Sequence, residues 1–190
     1  MLNKIVLGSW IVFVTYWIVS AVTVKKDADA RWWRQGRFFS LGRLVIIVVL
    51  TLVFPHVIGR IFSYSTMSSQ DLIVRALGTG LTVSGIGFAI WARWHLGKNW
   101  SSHPAVKENH ELVTTGPYRF IRHPIYTGMI TAIVGSELAS FRAVWFFFFI
   151  VMGTTILYRV PVEERMMMQT FPDRYPAYKK STNALIPFIW

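Results

Sequence analysis

Five stretches without a single Asp, Glu, Lys or Arg divide this chain, at residues 5–24, 44–59, 76–92, 124–136 and 143–158. Stretches this apolar favour hydrocarbon over water. An irregular backbone there would leave N–H and C=O groups without partners, so each is expected to be helical. Basic residues stand at their edges: Lys25 and Lys26 after the first, Arg43 and Arg60 around the second, Arg75 and Arg93 around the third, Arg142 and Arg159 around the fifth. This segregation reconciles a hydrophobic fraction of 53% with a formal net charge of +11, a combination rare in water-soluble domains. The expected fold is all-α, a polytopic integral membrane bundle of about five transmembrane helices. It forms one domain over 1–190, with three helices in 1–92 and a functional half in 93–190.

The first stretch is long enough to span a bilayer and is followed by the basic pair Lys25 and Lys26, so it reads as a retained anchor rather than a cleaved signal. The fourth is short. As an ideal helix it reaches only about 20 Å against a hydrocarbon core of about 30 Å, so it must recruit neighbouring residues or begin inside a protein-lined cavity. Only residues 137–142 separate it from the fifth, so the two are expected to form an antiparallel hairpin. Most Lys and Arg residues fall after the first, third and fifth stretches, leaving Lys4, Arg60, Arg75 and Arg142 on the other side. The positive-inside rule then puts the N-terminus outside, and the loop after the third helix and the C-terminal tail in the cytoplasm. In the third stretch Gly80 and Ser84 are four apart and are expected to permit close helix contact.

There are no cysteines, which excludes disulfides, thiolate metal sites and a cysteine nucleophile. Trp32, Trp33, Phe38 and Phe39 lie among arginines and read as an amphipathic stretch on the membrane surface, with no need for a nucleic-acid partner. His95, His103, His110 and His123 include no i, i+4 pair and have few carboxylates nearby, so no metal site is expected.

Two polar regions hold the candidate chemistry, residues 95–126 and 159–187. In the first, Thr115-Gly116-Pro117-Tyr118 is a turn, because glycine permits unusual dihedrals and proline fixes the next φ. Arg122-His123-Pro124 opens a helix with proline in its first turn. That placement suits either an anion site or contact with lipid head groups. In the second region Arg159 and Glu163 are i, i+4 and can share a helix face, provided Pro161 sits near a helix start or a kink. The pair fits an ordinary interfacial ion pair as well as a substrate-orienting one.

Taken together, LGKNWS (96–101), HELVTTGPYRFIRHPIYTG (110–128), RVPVEE (159–164) and FPDRYPAY (171–178) resemble the isoprenylcysteine carboxyl methyltransferase family, within a superfamily that includes phospholipid methyltransferases. The resemblance covers about half the chain; the N-terminal half is similar only in hydropathy. It implies a small helical membrane enzyme that uses S-adenosylmethionine. His110, Leu112, Val113, Gly116, Tyr118, Arg122, His123, Pro124 and Tyr126, with Glu164 from the tail, match the family's cofactor-binding positions. Arg159 and Glu163 match the pair expected near the reacting group, and Asn99 matches a recurrent position. Pro172 and Arg174 depart from the usual tail pattern.

The implied reaction is methyl transfer to a lipid-like or prenylated acceptor, such as the α-carboxylate of a prenylated cysteine. A carboxylate is already ionised at neutral pH and needs no general base. Rival readings are a phospholipid N-methyltransferase, with Glu163 or His123 as base, a small-thiol S-methyltransferase, an NADPH-dependent membrane reductase and a non-enzymatic adaptor.

Overall fold

A computed structural model describes residues 1–25, 71–101, 106–140 and 143–185. The described residues form five α-helices: α1 (Leu2–Ala21), α2 (Asp71–Leu96), α3 (Pro124–Ser140), α4 (Ala143–Thr170) and α5 (Tyr175–Ser181). Short 3₁₀ turns follow α2 at Gly97–Asn99 and precede α3 at Gly116–Arg119. The described residues form no strand, although an isolated parallel bridge joins Ile121 to Asn183. The second apolar stretch and the aromatic cluster at 32–39 lie outside the described residues.

Three described helices are long and apolar enough to cross a membrane, over Leu2–Ala21, Leu72–Asn99 and Trp145–Thr170. Their outer faces carry large apolar side chains suited to lipid, as in α1, where Ile18 and Val19 are about two-thirds exposed. The short fourth stretch gains residues Glu137 to Ser140, and α3 packs along α2. Pro124 starts α3, where its missing N–H costs nothing. Pro161 lies inside α4 rather than at a helix start, so the fifth helix continues past the expected membrane end at Tyr158 and carries 159–164 within one rod.

The α2–α3 contact is made by Gly78 and Gly85 against Gly135 and Gly128. A Cβ on Gly85 would meet Ala132 N at 2.6 Å and Gly128 O at 2.7 Å; one on Gly135 would meet Thr82 N at 2.5 Å. Contacts run down α3 as they run up α2, so the helices are antiparallel. Among the described residues no helix packs on the Gly80–Ser84 face: a Cβ on Gly80 would meet none of them within 4 Å, and Ser84 is exposed. Both sets obey small-residue spacing, but α3 lies on the Gly78–Gly85 side. Buried polar groups join the helices as well. Trp10 Nε1 of α1 donates to Ser136 Oγ of α3 at 3.0 Å, and Ser136 Oγ stands 3.3 Å from Thr82 Oγ1 of α2. In lipid such bonds contribute about 0.6 kcal/mol each.

Near the polar loop, the buried Arg93 donates to Ser20 O and Gly97 O, both at 2.8 Å, and its guanidinium lies 4.5 Å from the Trp100 ring centre. A cation there meets carbonyls left open at the ends of α1 and α2. It ties the end of α1 to the wall of the site described next.

Candidate active site

Helix ends converge here because the polar stretches follow α2 and precede α3, while α4 extends beyond its apolar part. They enclose a cavity of about 410 Å³. Its wall takes Trp17 from α1, Asn99, Trp100 and Ser101 after α2, His110 to Val113 and Tyr118 from the loop, and Arg122, His123, Ile125, Tyr126 and Met129 around the start of α3. From α4 come Met152, Thr155, Arg159, Glu163, Met166 and Met167, and from α5 Tyr175 and Tyr178. The two polar regions therefore meet in one chamber.

Glu163 is the hub of its charge cluster. Its Oε1 accepts from Tyr126 Oη at 2.8 Å and from Arg159 Nε at 3.1 Å, with Arg159 Nη2 at 3.0 Å. His123 stacks on Tyr126 with ring centres 5.8 Å apart. Its Nδ1 lies 3.5 Å from Glu163 Oε2 and its Nε2 3.7 Å from Glu164 Oε1, ion-pair contacts longer than good hydrogen bonds. Burial opposes charge on His123, but the two carboxylates outweigh it and raise its pKa above the ordinary 6.5. The Arg159 guanidinium lies 5.8 Å from the Tyr126 ring centre, so Tyr126, Arg159, Glu163 and His123 form one interlocked group.

The tail is strapped to the turn before α3. Arg122 N donates to Asn183 O at 2.9 Å, His123 N to Ala184 O at 3.0 Å and Thr127 Oγ1 to Leu185 O at 2.6 Å. The Arg122 side chain donates to Glu164 Oε1 at 2.7 Å, to Lys179 O at 3.0 Å and to Thr182 O. Lys179 Nζ pairs with Glu164 at 2.6 Å. Tyr178 Oη donates to Tyr118 O at 2.6 Å, and burial pushes its pKa up to about 12, which keeps the donor protonated. On the loop, burial first, then Lys25 and Lys107, hold His110 below 6.5. Its Nδ1 accepts from Lys107 N at 3.2 Å.

Of the residues singled out in the sequence, His110, Leu112, Val113, Tyr118, Arg122, His123, Tyr126, Arg159 and Glu163 line the cavity. Gly116, Pro124 and Glu164 stand behind the wall. Gly116 has a φ of 59°, and a Cβ there would come within 2.7 Å of the His95 ring, so it seats that ring against the turn. Glu164 is buried behind the wall, holding Arg122 and Lys179. Arg122 Nε and Nη1 are engaged by Glu164 and tail carbonyls, so this side chain ties the tail to the cavity wall. Trp17 and the methionines had not been singled out. The run Met166–Met167–Met168 beside Glu163 was the available signal; Trp17, in an apolar helix distant in sequence, gave none.

Residues 73–174 match the phospholipid methyltransferase family. The chain is 27% identical over 184 residues to the protein-S-isoprenylcysteine O-methyltransferase of Saccharomyces cerevisiae, covering 93% of this chain and 75% of that protein. With the Schizosaccharomyces pombe protein of the same name it shares 33% over 154 residues, 79% of this chain and 61% of the other. With methanethiol S-methyltransferase 1 of Bradyrhizobium diazoefficiens it shares 35% over 71 residues, 37% of this chain and 24% of the other. The latter two relatives are thus matched over less than two-thirds of their length.

Proposed function

The chain belongs to the phospholipid methyltransferase family, and on that premise we propose that it is an integral membrane methyltransferase acting on a lipid-like acceptor with S-adenosylmethionine as donor. The acceptor best suited to the site is a carboxylate on a prenylated cysteine or a similar amphiphile. The observation that carries this reading is the single cavity shared by the 110–126 loop, the tail tyrosines and Arg159.

The cavity's fit to the donor can be judged from its walls. About 410 Å³ lies within the range that holds one nucleoside-sized ligand. Tyr118, Tyr175, Tyr178 and Trp100 offer ring faces, and Glu163 supplies a negative charge compatible with a sulfonium. When bound, S-adenosylmethionine supplies an activated methyl group. His110, Leu112, Val113, Tyr118, His123 and Tyr126 would hold it, and Arg122, Gly116, Pro124 and Glu164 would keep those residues in place.

The acceptor reading follows from what the charged residues do. Arg159, fixed by Glu163, orients an anionic acceptor. Tyr126 and Arg159 occupy Glu163 Oε1, and the two carboxylates beside His123 raise its pKa and favour its protonated form, so neither is well placed to take a proton. An amine acceptor needs such a base and a carboxylate does not. Met129, Met152, Met166 and Met167 make an adaptable apolar wall for a hydrocarbon chain. Catalysis then consists of proximity, alignment and exclusion of water.

The topology proposed with this function has five spans, the fourth and fifth as an antiparallel hairpin, the N-terminus outside, and the loop and tail in the cytoplasm. It rests on the distribution of Lys and Arg.

Calorimetry of the purified protein with S-adenosylhomocysteine and, separately, NADPH tests the donor. Binding of the first is expected; binding of NADPH alone would replace this reading with a reductase. Labelled methyl transfer across prenylcysteine, lipid-amine and thiol panels tests the acceptor, with prenylcysteine expected to be methylated fastest.

A further inference from the structure

We infer that Asn99, oriented by Lys25, binds the methyl donor's α-amino-acid end through its side-chain amide, with Ser101 and His110 beside it. This rests on the S-adenosylmethionine reading above and assigns one end of that ligand to named residues. Lys25 belongs to the chain leaving α1, outside the residues matched by the family.

Asn99 is 8% exposed and lines the cavity. Lys25 Nζ donates to its Oδ1 at 3.1 Å. An ammonium has donors only, so the atom facing it must be the amide oxygen, which leaves Nδ2 with its two N–H groups turned away. Nδ2 makes no hydrogen bond to the described residues. On the cavity wall these two N–H groups are available to an acceptor on a bound ligand.

Two further groups line the same cavity. Ser101 Oγ is buried without a partner and Ser101 lines the same cavity. His110 Nδ1 accepts a backbone N–H, so the neutral ring carries its proton on Nε2 as a third donor. Lys25 draws these segments together, because its Nζ also donates to Asn109 O at 2.8 Å and lies 4.0 Å from Glu111. Asn109 holds a φ of 49°, a conformation uncommon outside glycine, at this junction. Glu111, largely exposed, adds a negative charge to the same edge.

Three donors complement a carboxylate, and Glu111 complements an ammonium. A zwitterionic amino-acid group carries both; a hydrocarbon chain carries neither.

The test compares S-adenosylhomocysteine with 5′-methylthioadenosine, which keeps the adenosine and sulfur but lacks the amino-acid end. Asn99→Asp retains an oxygen for Lys25 and replaces the N–H pair with a negative charge. By calorimetry its S-adenosylhomocysteine Kd is expected to rise at least about tenfold while 5′-methylthioadenosine stays within about twofold. Ser101→Ala is expected to show the same selective loss at severalfold, and unchanged 5′-methylthioadenosine binding certifies that both variants are folded. Equal weakening of both ligands, or no change in either, overturns the assignment. Should the wild-type protein bind neither compound, the donor reading itself fails and this inference with it; normal wild-type binding with an indifferent Asn99→Asp removes this inference alone.

Discussion

At the residue scale, Glu163 shows how one carboxylate can organise a site. Tyr126, Arg159 and His123 surround it, so loss of one partner leaves the others in place. Arg159→Ala is therefore expected to leave the S-adenosylhomocysteine Kd within about threefold while kcat falls about a hundredfold or more, as when a group acting on the reacting centre is lost. Equal losses in binding and turnover would instead place Arg159 in the donor site or the fold. His123 gives a prediction in pH. Its folded pKa is raised, so the folded protein holds this proton more tightly than the unfolded chain. The resulting stability is complete below the ordinary 6.5 and is lost as pH rises through the folded value. The thermal unfolding midpoint in detergent should fall over that rise, and His123→Gln should flatten the profile. A wild-type midpoint that climbs with pH across this window would contradict the assignment.

At the scale of elements, the α2–α3 pair is set by backbone contact rather than by large side chains. Gly85→Ala puts a methyl group within 2.7 Å of Gly128 O and forces the helices apart. The expected loss is about 1–3 kcal/mol, read as a lower unfolding midpoint in detergent. Gly80→Ala meets none of the described residues within 4 Å on the same helix and should gain about 0.5–1 kcal/mol from helix propensity. If the two variants moved the midpoint alike, the packing face would be misassigned. In α4, Pro161 cannot donate to Leu157 O, yet the helix continues, and Arg159 and Glu163 meet at i, i+4 across that position.

For the whole molecule, the site depends on bringing one end of each described helix to the same polar region. Trp17 and Lys25 arrive from α1, and Tyr175 and Tyr178 from α5. If the proposed orientation holds, the N-terminus and the tail lie on opposite sides of the membrane. The chain has no cysteine, so Asn3→Cys and Lys180→Cys can each be labelled alone. A membrane-impermeant maleimide should reach Asn3→Cys in intact cells and Lys180→Cys only after permeabilisation; the reverse pattern would invert the topology.

The apolar stretches at 5–24, 76–92, 124–136 and 143–158, the turn at Thr115–Tyr118, the helix start at Pro124 and the Arg159–Glu163 spacing were legible in the sequence, because each depends on hydropathy or on residues within one or two helical turns. Other features depended on a second surface. Gly80–Ser84 and Gly78–Gly85 are both small-residue sets within α2, and only the position of α3 shows which of them it packs against. Glu164 could have faced the cavity, but Arg122 and Lys179 draw it behind the wall. Nothing near Lys25 in sequence announces Asn99, which is 74 positions away. Periodicity is carried along a single helix, whereas contact requires two surfaces to match, so the helices could be read from the chain and the site came from their packing.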